Sequence, residues 1–431
     1  MNFTPWPQDP AAHRRFSADR KAAGDELGAL AHLIAADSLE RQDAHELLGV
    51  ATGYFSMGQA LDSARWYRLL LTIDPDCAIA YQNLAAIHEE WGQHDEAEAC
   101  RSRAYAIQRL FIDDSGQGGR RLLILLAGQG SANTPFSTLV PADANIRIKY
   151  ALDYAAEAED QTLPPYDLVF NAIGEPDVAI ALQDRLQAFE RRCRRPILNP
   201  VAAIARTPRH LTEQLLAGLS DVAVSPCARY EAPPASPAEL TERLRRDGLS
   251  YPLLARPVSS HGGEGLVRCD GPDALMAAVT RLAGPHYLTA FTDYRSADGF
   301  FRKYRMIFVD RQPLPYHQAI SSDWMVHYFS ADMEAHPWKL AEETRYLTDP
   351  EDALGSRAMT AIRAIGQRMD LDYGGIDFTL LPDGRVFVFE ANATMLVHRE
   401  KPGGPLTHKN AAVQHIADAF EALLARRTSR A

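Results

Sequence analysis

The sequence predicts a multidomain chain: an all-α helical repeat, then a small α/β domain, then an α+β domain. Three observations predict this. Gly24, Gly58 and Gly92 recur at 34-residue intervals within an Ala- and Leu-rich stretch, which is the mark of stacked helix pairs. From residue 121 onward, short apolar runs bounded by turn residues alternate with helical stretches, the pattern of an α/β unit. Near the end, residues 374–392 (GGIDFTLLPDGRVFVFEAN) set two apolar runs around Pro382-Asp383-Gly384-Arg385, and Asp-Gly between such runs is a strong hairpin signal.

Composition bounds the function classes. At 431 residues the chain is long for one domain, and four segments are expected: 1–112 helical, 113–120 a linker, 121–200 α/β, and 201–431 α+β. With 46% hydrophobic and 23% charged residues it is an ordinary globular sequence. A net charge of -11 argues against nucleic-acid binding, which needs a basic footprint. The basic cluster Arg191-Arg192-Cys193-Arg194-Arg195 reads as a solvated helix end. No apolar run reaches the ~20 residues of a membrane span, and MNFTPWPQDP has neither the basic nor the apolar region of a secretory signal. Five cysteines, at 77, 100, 193, 227 and 269, form no CxxC pair, so neither a disulfide framework nor a zinc site is expected and a reducing cytoplasm fits. Fourteen histidines form no HxH or HExxH spacing.

In the first segment, Ala29, Ser63 and Ala97 fall at one small-residue position of the 34-residue register, Tyr54 pairs with His88, and Pro75 follows the second helix pair. This pattern resembles the tetratricopeptide repeat over three units, 10–43, 44–77 and 78–111. The resemblance implies a stack with a concave groove for a peptide or protein segment; the alternative is a helical cap that stabilises the rest or mediates homo-oligomer formation.

After the glycine-rich linker, Arg121–Ala127 is a continuous apolar run that reads as a buried parallel strand. Strands are also expected at 166–171 and 196–200, with a helix at 178–191 between them. From 201 the expected elements are a helix near 209–218 leading into the stretch 222–226, strands at 251–258, 266–269, 286–291 and 302–309, and helices at 356–369 and 410–426. The strand 251–258 carries Arg256 near its end and leads into Ser259-Ser260-His261-Gly262-Gly263-Glu264-Gly265. A glycine-rich turn between strands can present backbone N–H groups to phosphate oxygens, though it also simply makes hairpins. No helix opens after it, so it is neither a Walker A loop nor a dinucleotide fingerprint. Strand 302–309 begins with the cations Arg302, Lys303 and Arg305.

If Asp383 and Gly384 form a two-residue turn, Asp377 lies directly across from Glu390, with Asn392 on the same face. Ile376, Phe378, Leu380, Phe387, Phe389 and Ala391 form the core-facing set, and Leu381, Val386 and Val388 share the carboxylate face. Two carboxylates about 5 Å apart on one face repel. A shared proton is one remedy; a divalent cation held also by the Asn amide oxygen is the favoured one.

A strand ending in a cation, a glycine-rich flap, a further strand, a cationic strand and an Asp-x12-Glu-x-Asn hairpin resemble the ATP-grasp superfamily over residues 121–425. The resemblance implies ATP held between two sheet units, with two Mg²⁺ ions held by Asp377, Glu390 and Asn392. Arg256 and Arg209 stand where phosphate-binding lysines are usual. Ser259, Ser260, Gly262, Gly263 and Gly265 would form the phosphate flap. Thr289, Ala290 and Phe291 would read the base through their backbone, and Asp293 would meet the ribose. Arg305 would contact the transferring phosphoryl group or the substrate carboxylate. The family's Pro-Gly after the Asn is absent here, where Ala393-Thr394-Met395-Leu396-Val397-His398 follows. The loop 317–333 is a candidate acceptor wall through His317, Asp323, Trp324 and His327.

The implied reaction joins a carboxylate and an amine through an acyl phosphate, with a peptide substrate brought by the repeat domain. A nucleotide-binding scaffold without ligation, and phosphoryl transfer to another acceptor, are the competing readings.

Overall fold

The computed structural model describes residues 4–116, 118–128, 130–260 and 262–429. The first three residues of the N-terminal stretch, Gln117 of the expected linker and His261 of the expected flap lie outside the described residues. Contacts divide the chain into two compact units, Met1–Phe111 and Ile112–Ala431.

The first unit is three helix pairs: α1 (Pro10–Ala22) with α2 (Glu26–Arg41), α3 (His45–Ser56) with α4 (Ala60–Ile73), and α5 (Ala78–Glu90) with α6 (His94–Ile107). The 34-residue spacing is written into the backbone. Gly24, Gly58 and Gly92 each end the first helix of a pair with φ of 78°, 72° and 69°, a conformation a side chain would strain. At each, the following N–H reaches back five residues, Asp25 to Arg20, Gln59 to Tyr54 and Gln93 to His88, at 2.9–3.0 Å. Small residues let each pair close. Ser17 Oγ donates to the Ala29 carbonyl at 2.8 Å, and one period later the roles reverse, Ser63 Oγ donating to Ala51 at 3.0 Å. Ala85 and Ala97, both buried, take the same positions in the third pair.

Within the first pair, His13 of α1 and His32 of α2 face each other with Nδ1–Nδ1 at 2.9 Å, and His32 stands edge-on to Trp6 and Trp66. Burial, then the neighbouring His13, pushes His32 down to about 4 from 6.5. A histidine whose folded pKa is depressed contributes stability above the unfolded value and loses it as pH falls through the interval. Acidifying from 6.5 to 4 should therefore cost this unit about 3 kcal/mol. Hydrogen exchange of the whole chain reads it: protection in α1 and α2, corrected for intrinsic rate, should fall about 100-fold between pH 7 and 4. Constant protection would refute the assignment.

The second unit opens with four parallel strands, β1 (Arg120–Leu126), β2 (Asn145–Ala151), β3 (Leu168–Asn171) and β4 (Ile197–Leu198), ordered β2-β1-β3-β4. Leu122–Leu125 are fully buried, as an unbroken apolar run requires. Strand β2 is not foreseen from the sequence: its NIRIKYA pattern places Arg147 and Lys149 on one face, where Asp113 holds them at 2.6 and 3.0 Å. Asp113 thus ends a short strand and is not a linker residue. The helix expected at 178–191 breaks at Leu182 into Pro176–Ala181 and Gln183–Arg192. The basic cluster begins in its last turn, where Arg192 meets Glu157.

The remaining strands are β5 (Val222–Val224), β6 (Cys227–Tyr230), β7 (Leu253–Pro257), β8 (Val267–Cys269), β9 (His286–Ala290), β10 (Phe301–Val309), β11 (Gln312–Ser321), β12 (Tyr373–Leu380) and β13 (Val386–Asn392). They form two sheets, β6-β9-β7-β8 and β11-β10-β12-β13-β5. The helix expected at 209–218 is a 3-10 turn, Arg209–Leu211, followed by Thr212–Leu216. The C-terminal helix α7 (Asn410–Thr428) buries Val413, Ile416, Phe420 and Leu423 in a core shared by the parallel sheet (Ile124, Phe170) and the five-stranded sheet (Ile307, Tyr373). This common core locks the hairpin's sheet to the α/β layer. No helix among the described residues is long and apolar enough to cross a membrane.

Candidate active site

The hairpin brings its acids together by a different route from the one expected. Its turn holds three residues, Pro382–Gly384: Leu381 N–H donates to Arg385 O at 2.9 Å, and Gly384 takes φ 82°. Such a loop shifts the register by one. A bulge at Phe389 shifts it back: Leu380 pairs Val386 and Phe378 pairs Val388, but Asp377 pairs Glu390 and Gly375 pairs Asn392. The expected carboxylate pair therefore survives while the residues between turn and bulge exchange faces. Phe387, opposite Thr379, joins the Asp377 face; Phe387 and the bulged Phe389 both line a cavity instead of the core. Val386 and Val388, expected on the carboxylate face, are buried opposite Leu380 and Phe378.

That cavity measures about 530 Å³ and has walls from the four-stranded sheet, from the hairpin's sheet and from the loop after β1. Asp377 meets Arg305 through two bonds, at 2.6 and 2.9 Å, and Lys303 at 3.3 Å. Arg209 meets Glu390. Burial alone would raise both carboxyls; Arg305 and Lys303 hold Asp377 far below the usual range, and Arg209 holds Glu390 down against the repulsion of Asp377. Burial and then Arg209 push Arg256 down to about 10, so it stays charged near neutrality. Among the described residues its hydrogen bonds go to Ser260 and none goes to an acid. Next to this group, burial lifts Glu175 to about 7.

Lys303 was not nominated from the sequence. The signal was present, because the strand period of two puts Lys303 and Arg305 on one face, while Arg302 turns away to Asp298 and Glu342 at 2.8 and 2.6 Å. Cys227, Tyr294, Met325, Met395 and Leu396 also line the cavity unforeseen; each belongs to a stretch whose periodicity carries no site signal.

Of the flap residues, Gly262 and Gly263 line the cavity, whereas Ser259, Ser260 and Gly265 do not. A Cβ on Gly262 would lie 3.3 Å from His327 Nε2, so the flap lies close over the loop after β11. Thr289, Ala290 and Phe291 line the far end. Two of their backbone donors are already committed, Ala290 N–H to Pro226 O and Phe291 N–H to Pro252 O, both at 2.9 Å. Those groups cannot read a base as expected. Asp293 is exposed, accepts from Arg295 N at 3.0 Å and is not on the wall; Tyr294 takes that place, its hydroxyl donating to Trp324 O at 2.5 Å.

The acceptor candidates divide. Trp324 and His327 line the cavity. His317 does not: it sits within β11 opposite Arg305, buried and stacked on Tyr328 at 5.1 Å, and burial and Arg305 push it well below 6.5. Reading 317–333 as a loop missed the strand because its polar residues pack against other elements. Asp323 is exposed and accepts from Met325 N at 2.8 Å.

A hard divalent cation fits the donor set, two carboxylates in register with an amide oxygen beside them. Asn392 is the least available donor, since its Oδ1 already accepts from the N–H and hydroxyl of Thr394 at 3.0 and 3.2 Å.

No protein-family model matches the chain, and no curated protein matches it. Among solved structures it is similar to the VanG D-Ala:D-Ser ligase from Enterococcus faecalis, at 14% identity and a TM-score of 0.43, over 71% of this chain and 99% of that one. It is similar to the D-alanyl-alanine synthetase A from Vibrio cholerae, at 12% identity and a TM-score of 0.45, over 73% and 99%. A RimK domain protein, ATP-grasp, from Sphaerobacter thermophilus is similar at 14% identity and a TM-score of 0.41, over 70% and 99%.

Proposed function

We propose that the second unit is an ATP-grasp ligase that joins a carboxylate to an amine, forming ADP and phosphate. One observation carries the reading: a cross-strand pair of carboxylates, Asp377 buried and Glu390 partly buried, lines the wall of one cavity together with Arg209, Arg256, Lys303 and Arg305. Four cations against two acids leave that wall two charges positive, which suits a polyanion. The tetratricopeptide-like first unit would bind the peptide or protein that carries a substrate.

Asp377 and Glu390, with Asn392 beside them, would hold Mg²⁺, which when bound neutralises charge developing on the β- and γ-phosphates. Arg209 and Arg256 would bind phosphate oxygens, and the flap around Gly262 and Gly263 would exclude water. A carboxylate oxygen attacks the γ-phosphorus, the bond to the β,γ-bridging oxygen breaks, and ADP leaves. The amine then attacks the acyl carbon, the carbon–oxygen bond to phosphate breaks, and the amine proton passes to solvent. Lys303 and Arg305 would orient the carboxylate and stabilise the charge on the oxygens in transfer. No side-chain nucleophile is required.

The test follows oxygen. With an ¹⁸O-labelled carboxylate, one label should appear in the released phosphate for each amide formed. ADP release without label transfer would overturn the acyl-phosphate route, and phosphate retained on the acceptor would establish a phosphotransferase instead. Binding makes a separate prediction: Arg256→Met should weaken ATP affinity by about 10- to 100-fold, measured by calorimetry, because Arg256 has no acid to release before taking a phosphate.

A further inference from the structure

The cavity wall is as informative for the charge it lacks. Among the described residues lining it, Asp377 and Glu390 are the only acids, and Arg305, Lys303 and Arg209 already engage them. None of the residues outside the description is an acid. The nearby acids lie elsewhere. Glu264 of the flap and Asp323 are exposed and off the wall, and Glu175 is buried beside Arg209. The uncharged lining includes Met325, Thr394, Met395 and Leu396.

We infer that the carboxylate substrate carries no free ammonium next to the reacting group: it is an N-acylated amino acid or a peptide carboxylate, and not a zwitterionic amino acid. This rests on the ligase reading of the site. An α-ammonium bound beside the reacting carboxylate would sit close to Lys303 and Arg305, with no acid available to pair it. Asp377 and Glu390 cannot serve, because in the ligase reading they hold Mg²⁺. An unpaired charge in a partly desolvated site is strongly disfavoured, and like charges nearby add to the cost. An amide nitrogen in the same place brings no charge, and the thioether and aliphatic side chains of Met325, Met395 and Leu396 can accept its apolar surroundings.

The experiment uses the full-length protein with Mg-ATP and hydroxylamine as the amine, which traps an acyl phosphate as a hydroxamate. The acids are leucine, N-acetylleucine and an N-acetylated tripeptide ending in leucine, with an N-acetylated, C-amidated peptide containing glutamate to separate side-chain from terminal carboxylates. Expected is a kcat/KM at least about tenfold higher for an N-acylated acid than for leucine. Equal rates, or preference for leucine, would overturn the inference while leaving the ligase reading in place. No hydroxamate from any acid would remove both. A second variant tests the cause: Leu396→Asp, at a position 39% exposed on the wall, should shift the ratio toward leucine by about tenfold, and an unmoved ratio would show that wall charge does not set the choice.

Discussion

Asp377→Asn and Glu390→Gln should each lower ATP turnover by at least about 1000-fold, because each removes a full charge where phosphoryl transfer needs a counter-ion held in place. The two variants should differ in stability. Among the described residues Asp377 is the only acid within ion-pair distance of Lys303 and of Arg305, so its loss leaves two largely buried cations facing an amide. Breaking a buried pair in this way costs about 3–5 kcal/mol. Glu390 pairs with Arg209, which also sits beside Glu175, so Glu390→Gln should melt within a few degrees of the parent. Measuring turnover beside thermal unfolding separates the effects: an inactive, well-folded Glu390→Gln protein is the informative case. Either variant keeping more than about a tenth of parental turnover would remove the pair from the chemistry.

The pairing of these acids was legible in the sequence for a reason that only partly holds. Period-two alternation about an Asp-Gly turn placed Asp377 opposite Glu390, and the structure agrees at that rung. Two unseen features, a third turn residue and a bulge at Phe389, cancel there and nowhere between. Alternation cannot reveal a bulge, because one extra residue reverses the faces on one strand only. The same limit hid Phe387 and Phe389 in the expected core. The helix pairs of the first unit were legible because glycine in a left-handed turn leaves a mark at every repeat. Asp293 and His317 were nominated from residue type and neighbourhood, and their fate turned on where β9 ends and how far β11 runs, which short polar stretches do not specify. Lys303 needed only the period already in use.

Asn199→Ala should be the most destabilising change outside the site, at about 4 kcal/mol, and it should also reach the hairpin. Asn199 follows β4, is fully buried and takes φ 53°, which asparagine tolerates better than most residues. Its Oδ1 accepts the N–H groups of Asp372 and Tyr373 at 2.9 and 3.0 Å, and its Nδ2 donates to Tyr373 O at 2.8 Å. Its own N–H donates to Asp372 Oδ2 at 2.9 Å. One side chain thus ties the end of the parallel sheet to the first residue of β12, four residues before Asp377. Alanine would leave two buried N–H groups and a carbonyl without these partners, each costing about 1–3 kcal/mol. Glycine at 199 loses the same bonds but removes the strain of a positive φ, so Asn199→Gly should be about 1 kcal/mol more stable than Asn199→Ala. Chemical denaturation of the pair therefore divides backbone strain from the amide's bonding. An Asn199→Ala protein within about 1 kcal/mol of the parent would show that the two sheets are held by their shared core of Ile124, Phe170, Ile307, Tyr373 and Phe420 alone. Loss of turnover in the folded Asn199→Gly protein would show the opposite, that the strand bearing Asp377 is set in place from the neighbouring sheet.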